Sequence, residues 1–211
     1  MIAYLKGMAF ETPFQYVFKP GRPDKHPLLL LHGTGGNEHD LIDLAETVAP
    51  ARALLSPRGR VLENGMPRFF RRFAEGQFDE DDVRVRAAEL ASFVRDASKS
   101  YGLSKPVALG FSNGANIAAA LLTLYPDLLA GAVLLRAMVP FKSMPPSALT
   151  GVPVLLVSGA QDAMIPKPDS DRLASWLREN GAILTHNNLP TGHGLTHTDV
   201  SHMTQFLAQQ E

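Results

Sequence analysis

Ser112 stands in the middle of Gly110-Phe111-Ser112-Asn113-Gly114, directly after the apolar run Val107 to Leu109 and directly before a helical pattern of small residues. In a strand-to-helix turn of the G-x-S-x-G kind, a strained backbone lifts the serine hydroxyl above the sheet and toward substrate. The two glycines relieve crowding around that turn. Ordinary glycine-rich loops carry the same pentapeptide, so the case depends on what else the chain supplies. A hydroxyl of ordinary high pKa becomes a nucleophile only beside a general base, with a carboxylate to orient the base and donors for the oxyanion.

All of these parts are present. Val154-Leu155-Leu156-Val157-Ser158-Gly159-Ala160-Gln161-Asp162 reads as a buried strand running into a loop, which puts Asp162 at the carboxyl end of a strand, where open α/β sheets build their sites. Asp162 is the candidate orienter. Leu189-Pro190-Thr191-Gly192-His193-Gly194 places His193, the candidate base, in a glycine-flanked loop between a strand and the last helix. The chain order Ser, Asp, His is the one α/β-hydrolases use. Among rivals, His197 follows His193 by four residues and would share a metal with it only on one helix face, which Gly192, Gly194 and Thr196 argue against. His32 reads as a residue that holds a loop by hydrogen bonding. Asp127 reads as a turn residue after Pro126, and Asp169 and Asp171 as helix-start residues.

The oxyanion donors are assigned to two backbone amides. One is the N–H of Asn113, the residue after the serine. The other comes from the loop His32-Gly33-Thr34-Gly35-Gly36 that follows the apolar run Leu28 to Leu31, with Thr34 as the chosen donor. Because both act through the main chain, their side chains are expected to be free to vary. The glycines of this loop match neither the Walker nor the Rossmann spacing, so no nucleotide cofactor is expected, and no metal either.

Apolar runs at Tyr16 to Phe18, Leu28 to Leu31, Ala53 to Leu55, Val107 to Leu109, Ala132 to Leu135, Val154 to Val157 and Ile183 to His186 alternate with helical periods. The helices are expected at Glu38 to Val48, Asp82 to Tyr101, Asn113 to Leu124, Asp169 to Asn180 and Asp199 to Gln209. This alternation predicts an α/β fold with a mostly parallel sheet covered on both faces. The connection Ala137 to Val152 is too short for a large cap domain. Met138 and Phe141 within it, and Phe69 and Phe70 farther upstream, are expected to line a substrate pocket, with core packing as the competing reading.

The sequence has 211 residues, 45% of them hydrophobic, which suits one α/β domain spanning 1–211. A formal net charge of -1 with interspersed signs gives no basic stripe for nucleic acid, and the mixture Arg68, Arg71, Arg72, Asp79, Glu80, Asp81 and Asp82 reads as solvated surface. No run reaches the roughly 18 apolar residues of a membrane helix, and the first residues lack a signal pattern, so a cytoplasmic protein is expected. The absence of cysteine excludes disulfides, thiolate catalysis and a cysteine-dependent dienelactone hydrolase.

The segments 31–38, 110–116, 158–166 and 192–196 together resemble the phospholipase/carboxylesterase family of α/β-hydrolases, which includes acyl-protein thioesterases and small bacterial carboxylesterases. The resemblance spans nearly the whole chain. It implies Ser112, Asp162 and His193 as the triad, Thr34 and Asn113 as the oxyanion amides, a small-molecule ester or thioester as substrate, and a homodimer. The chain lacks the His-Gly-Gly-Gly run of the hormone-sensitive lipase type. A lysophospholipase or acyl-protein thioesterase acting on long acyl chains, and a non-catalytic binding module, are the alternatives to an esterase of small to medium acyl groups.

Overall fold

A computed structural model of the protein describes residues 10–210. Along the chain these form β1 (Tyr16–Lys19), β2 (Leu28–Leu31), α1 (Ile42–Val48), β3 (Leu54–Pro57), β4 (Val61–Glu63), β5 (Met66–Arg68), β6 (Arg72–Ala74), β7 (Gln77–Phe78), α2 (Glu80–Tyr101), β8 (Val107–Phe111), α3 (Asn113–Leu124), β9 (Gly131–Leu135), β10 (Pro153–Gly159), α4 (Lys167–Glu179), β11 (Ile183–Leu189) and α5 (His197–Leu207). Seven strands make one sheet in the order β1-β3-β2-β8-β9-β10-β11. Only the β1–β3 pairing is antiparallel.

The central strands are apolar at nearly every position because both faces of the sheet are covered. Alternate side chains divide between two cores, as the period of two requires. Leu29, Leu31, Ala108, Leu134 and Leu156 pack with α2, α3 and α4, while Leu28, Leu30, Leu109, Leu135 and Val157 pack with α1 and α5. Helix α3 is buried from Asn113 to Thr123, and its alanines let it lie close to the sheet. Helix α2 starts at an Asp79 cap with three acidic residues in its first turn and ends at Gly102 in the left-handed conformation, so both termini are satisfied by local chemistry.

Six of the seven predicted runs fall within strands of this sheet and the seventh, Ala53 to Leu55, starts one residue before β3, while four of the helices lie within two residues of expectation. The first helix is the exception, since it begins at Ile42 rather than Glu38. Residues 38–41 form turns, at which Asn37 Oδ1 accepts from His39 N–H at 2.8 Å and buried Glu38 accepts from Arg58 Nη2 at 2.8 Å. That ion pair holds Glu38 across the loop after β3.

Two antiparallel hairpins, β4–β5 and β6–β7, occupy the segment between β3 and α2. The first turns at Asn64 (φ 51°) and Gly65 (φ 80°), both left-handed, as a two-residue hairpin turn of matching twist requires. The second turns through Gly76 (φ 69°). The connection after β9 carries no helix or strand and is tied down locally, with Trp176 Nε1–H donating to Pro145 O at 3.0 Å and Ser147 N–H to Asn180 Oδ1 at 2.6 Å.

Candidate active site

Ser112 sits between β8 and α3 with φ 52° and ψ -115°, outside the regions open to ordinary residues. Such a conformation costs on the order of 1–3 kcal/mol and persists only where its surroundings impose it. Here Ser112 N–H donates to Leu135 O at 2.8 Å and Ser112 O accepts from Asn116 N–H at 3.0 Å, fixing the residue between the neighbouring strand and the helix. The flanking glycines are required by space. A Cβ on Gly110 would lie 2.6 Å from Gly114 O, and one on Gly114 would lie 1.9 Å from Leu31 O.

His193 and Asp162 reach the serine from the ends of β11 and β10. Their loops are stitched together by Ala160 N–H donating to Leu189 O at 2.7 Å and Gln161 N–H to Thr191 O at 3.0 Å. His193 Nε2 is 2.9 Å from Ser112 Oγ, and His193 Nδ1 is 2.8 Å from Asp162 Oδ2. A carboxylate only accepts, so Nδ1 carries the proton and Nε2 is left free to accept from the serine hydroxyl. The other oxygen of buried Asp162 accepts from Met164 N–H at 2.8 Å and Ile165 N–H at 3.0 Å. The carboxylate therefore has one oxygen fixed by the main chain and one aimed at the imidazole. The Phe111 ring, 5.3 Å from the imidazole between centroids, closes one side.

Thr34 and Asn113 face the same cavity, and neither of their backbone N–H groups donates to another described residue. The Thr34 loop is braced from below and from the side. His32 Nδ1–H donates to Gly33 O at 2.7 Å while its Nε2 accepts from Gly59 N–H at 2.9 Å, which fixes the neutral tautomer. Burial pushes the His32 imidazole below its ordinary value. Gly35 N–H donates to Pro67 O of β5 at 2.9 Å. The expectation that the two oxyanion side chains are free to vary is corrected. Thr34 Oγ1 accepts from Arg68 Nη1 at 2.9 Å and Asn113 Oδ1 accepts from Phe69 N–H at 2.8 Å, so both anchor the segment carrying β5.

The cavity beside Ser112 has a volume of about 310 Å³. Its apolar lining comes from Phe78, Phe111, Met164 and Ile165, and its charged lining from Arg68, Arg72 and Glu75. None of the four expected pocket residues lines it. Phe69 packs on the His32 ring, Phe70 lies behind Phe78 in the core, and buried Phe141 lies under Arg84, while buried Met138 and Phe141 border a smaller adjacent hollow. Apolar type alone does not reveal which way a side chain points.

The reading of Arg68 to Asp82 as uniform solvated surface is likewise corrected. Arg68 is 2% exposed and Asp82 5%. Glu63 accepts from Arg72 Nε and Nη2 at 3.0 Å each and from Arg68 Nη1 at 3.2 Å, so one carboxylate serves two guanidinium groups. Arg72 holds the Glu63 carboxyl below the usual range, and burial lowers the Arg68 guanidinium. Sequence reasoning missed this cluster because it missed the hairpins that tie it to the loops after the central strands β2 and β8. The Asn64-Gly65 pair was the available signal. Among the competing residues, His197 is exposed at the first position of α5 rather than on a helix with His193, and Asp127 is exposed. Among the described residues no three His, Cys, Asp or Glu side chains converge as metal ligands.

A parallel sheet with Thr34, Ser112, Asp162 and His193 gathered after the carboxyl ends of β2, β8, β10 and β11 has the architecture of an α/β-hydrolase. The profile of the phospholipase/carboxylesterase family matches residues 13–210, and the chain belongs to that family. It is 45% identical over 184 residues to MhqD of Bacillus subtilis (strain 168), covering 86% of this chain and 92% of that protein. The carboxylesterase of Bacillus cereus superposes with a TM-score of 0.92 at 44% identity, over 94% of this chain and 95% of that one. A carboxylesterase from Mesorhizobium loti superposes with a TM-score of 0.89 at 30% identity, over 96% and 98%. Among the described residues no helix is long and apolar enough to cross a membrane.

Proposed function

We propose that the protein is a serine carboxylesterase that hydrolyses esters of small to medium acyl groups through an acyl-enzyme. The observation that carries this reading is the unbroken line of hydrogen bonds from Asp162 through His193 to Ser112 at the wall of the cavity. Ser112 Oγ bonds to the ester carbonyl carbon as His193 Nε2 takes its proton, and the N–H groups of Asn113 and Thr34 receive the negative charge on the carbonyl oxygen. Collapse of this intermediate breaks the carbon–oxygen bond, and the alcohol leaves with the proton from His193. Water, deprotonated by the same imidazole, then releases the acid and restores Ser112. Asp162 keeps the imidazole in the required tautomer throughout and stabilises its charged form.

What supports short acyl groups is the charge in the lining: a long apolar chain filling the cavity would meet Arg72 and Glu75 beside Phe78, Phe111, Met164 and Ile165, and desolvating those two charges is unfavourable for lysophospholipid or palmitoyl substrates. The test is turnover of p-nitrophenyl esters from two to sixteen carbons by the wild type, Ser112→Ala and His193→Ala. A maximum at short chains that vanishes in both variants supports the reading, and a maximum at the longest chains replaces it with the long-chain alternative.

A further inference from the structure

Arg136 immediately follows β9 and is completely buried, yet it does not line the cavity and makes no hydrogen bond to Ser112, Asp162 or the His193 side chain. Its φ of 56° is left-handed, and its N–H donates to Val157 O at 2.9 Å. A guanidinium has five N–H donors in a fixed fork, and every one of these has an acceptor here. Nε–H donates to Gly192 O at 3.1 Å. Nη1 donates to Val157 O at 3.3 Å and Asp199 Oδ1 at 2.7 Å. Nη2 donates to Gly194 O at 3.0 Å and Asp199 Oδ2 at 3.0 Å.

Gly192 and Gly194 are the two neighbours of His193, and neither has a side chain with which to fix the loop. Asp199, fully buried as well, also accepts from Thr196 N–H and Thr196 Oγ1 at 2.7 Å each, closing the capping box of α5. One guanidinium thus joins the end of β10, the start of α5 and both carbonyls flanking His193. We propose that Arg136 is a positioning residue for His193, holding the imidazole within reach of Ser112 through the carbonyls of Gly192 and Gly194. The proposal rests on the reading of His193 as general base. Lysine would keep the charge facing Asp199, but a single ammonium cannot span the two carbonyls and the carboxylate in this geometry.

Arg136→Lys, in the wild type and in the His193→Ala background, tests this with p-nitrophenyl butyrate. With far-UV circular dichroism unchanged, kcat is expected to fall about 10- to 100-fold while KM stays within about twofold, because the loss is of alignment in the reacting complex. In the His193→Ala background the same substitution is expected to leave the residual rate within about twofold, since the group it positions is gone. A merely structural role would lower the active fraction equally in both backgrounds. A folded Arg136→Lys with kcat within twofold of wild type overturns the proposal, as does an equal drop in the two backgrounds. If Arg136→Lys does not accumulate folded, Asp199→Asn, which removes one charged arm of the fork's partner, is judged by the same criteria. Full activity of His193→Ala alone would instead overturn the general-base reading, so the two failures are distinguishable.

Discussion

The guanidinium of Arg68 donates to the hydroxyl of Thr34 at 2.9 Å, joining the first hairpin to the loop that supplies one of the proposed oxyanion amides. Arg68 also donates to Phe70 O at 3.2 Å and shares Glu63 with Arg72, so its own position is fixed from three directions. The hairpin is therefore part of the site's support.

Replacing Arg68 with methionine keeps much of the buried length and removes all of these donors. Glu63 retains Arg72, which limits the stability loss to about 1–3 kcal/mol, the scale of an unsatisfied buried partner. Ester turnover is expected to lose about tenfold or more in kcat as the Thr34 amide shifts from the oxyanion position. Steady-state kinetics beside thermal melting checks this, and unchanged kcat in a folded variant would mean that the loop is held without Arg68.

Asp162→Asn is expected to lower kcat by about 10⁴-fold, because an amide can present N–H to His193 and stabilise the tautomer that leaves no acceptor for the serine proton. Asp162→Ala should be less stable than Asp162→Asn, since the N–H groups of Met164 and Ile165 then lose their acceptor. Denaturant midpoints of the two variants decide the second point and turnover the first.

Gly114→Ala tests the elbow through packing. Its Cβ would meet the main chain of Leu31 at 1.9 Å, and no side-chain rotation relieves a clash with backbone. The expected cost is about 3 kcal/mol or more, the upper end of overpacking, with the Ser112 loop displaced. A variant as stable and active as wild type would contradict the close approach of α3 to β2.

His32 gives the stability a defined pH dependence. Its folded form is neutral, with Nε2 accepting from Gly59 N–H, and burial holds its pKa below the ordinary value. The unfolded histidine titrates near ~6.5, so between that value and the lower folded one the unfolded chain binds more protons. The contribution is therefore complete above ~6.5 and declines as pH falls through that window. Urea midpoints of wild type should drop more between pH 7.5 and 5.5 than those of His32→Gln. Parallel curves would remove His32 from the account.

The parts of the fold that the sequence made readable are those in which one local rule dominates. Leu28 to Leu31 and Val154 to Val157 are covered on both faces, so burial writes itself as an uninterrupted apolar run, and the glycines after them mark where the chain must turn closely. The candidate residues that follow such runs are legible for that reason, and the structure gathers Ser112, Asp162 and His193 within hydrogen-bond reach. The hairpins were missed because strands of two or three residues have too few positions to show a period of two, although Asn64-Gly65 marked the first turn. Phe69 and Phe70 were misplaced because burial in a core and burial beside a cavity use the same residue types. Arg136 and Asp199 were invisible for the opposite reason. Each alone reads as a surface charge at an element end, and only the fold brings them together across 63 residues of chain.

The central claim is that Ser112 is an activated nucleophile, and intact mass after exposure to a fluorophosphonate measures that most directly. Wild type is expected to gain the mass of one phosphonyl group, with no gain in Ser112→Ala and strongly slowed gain in His193→Ala. Folded wild type that gains no mass, or Ser112→Ala that gains it at the wild-type rate, would contradict the account.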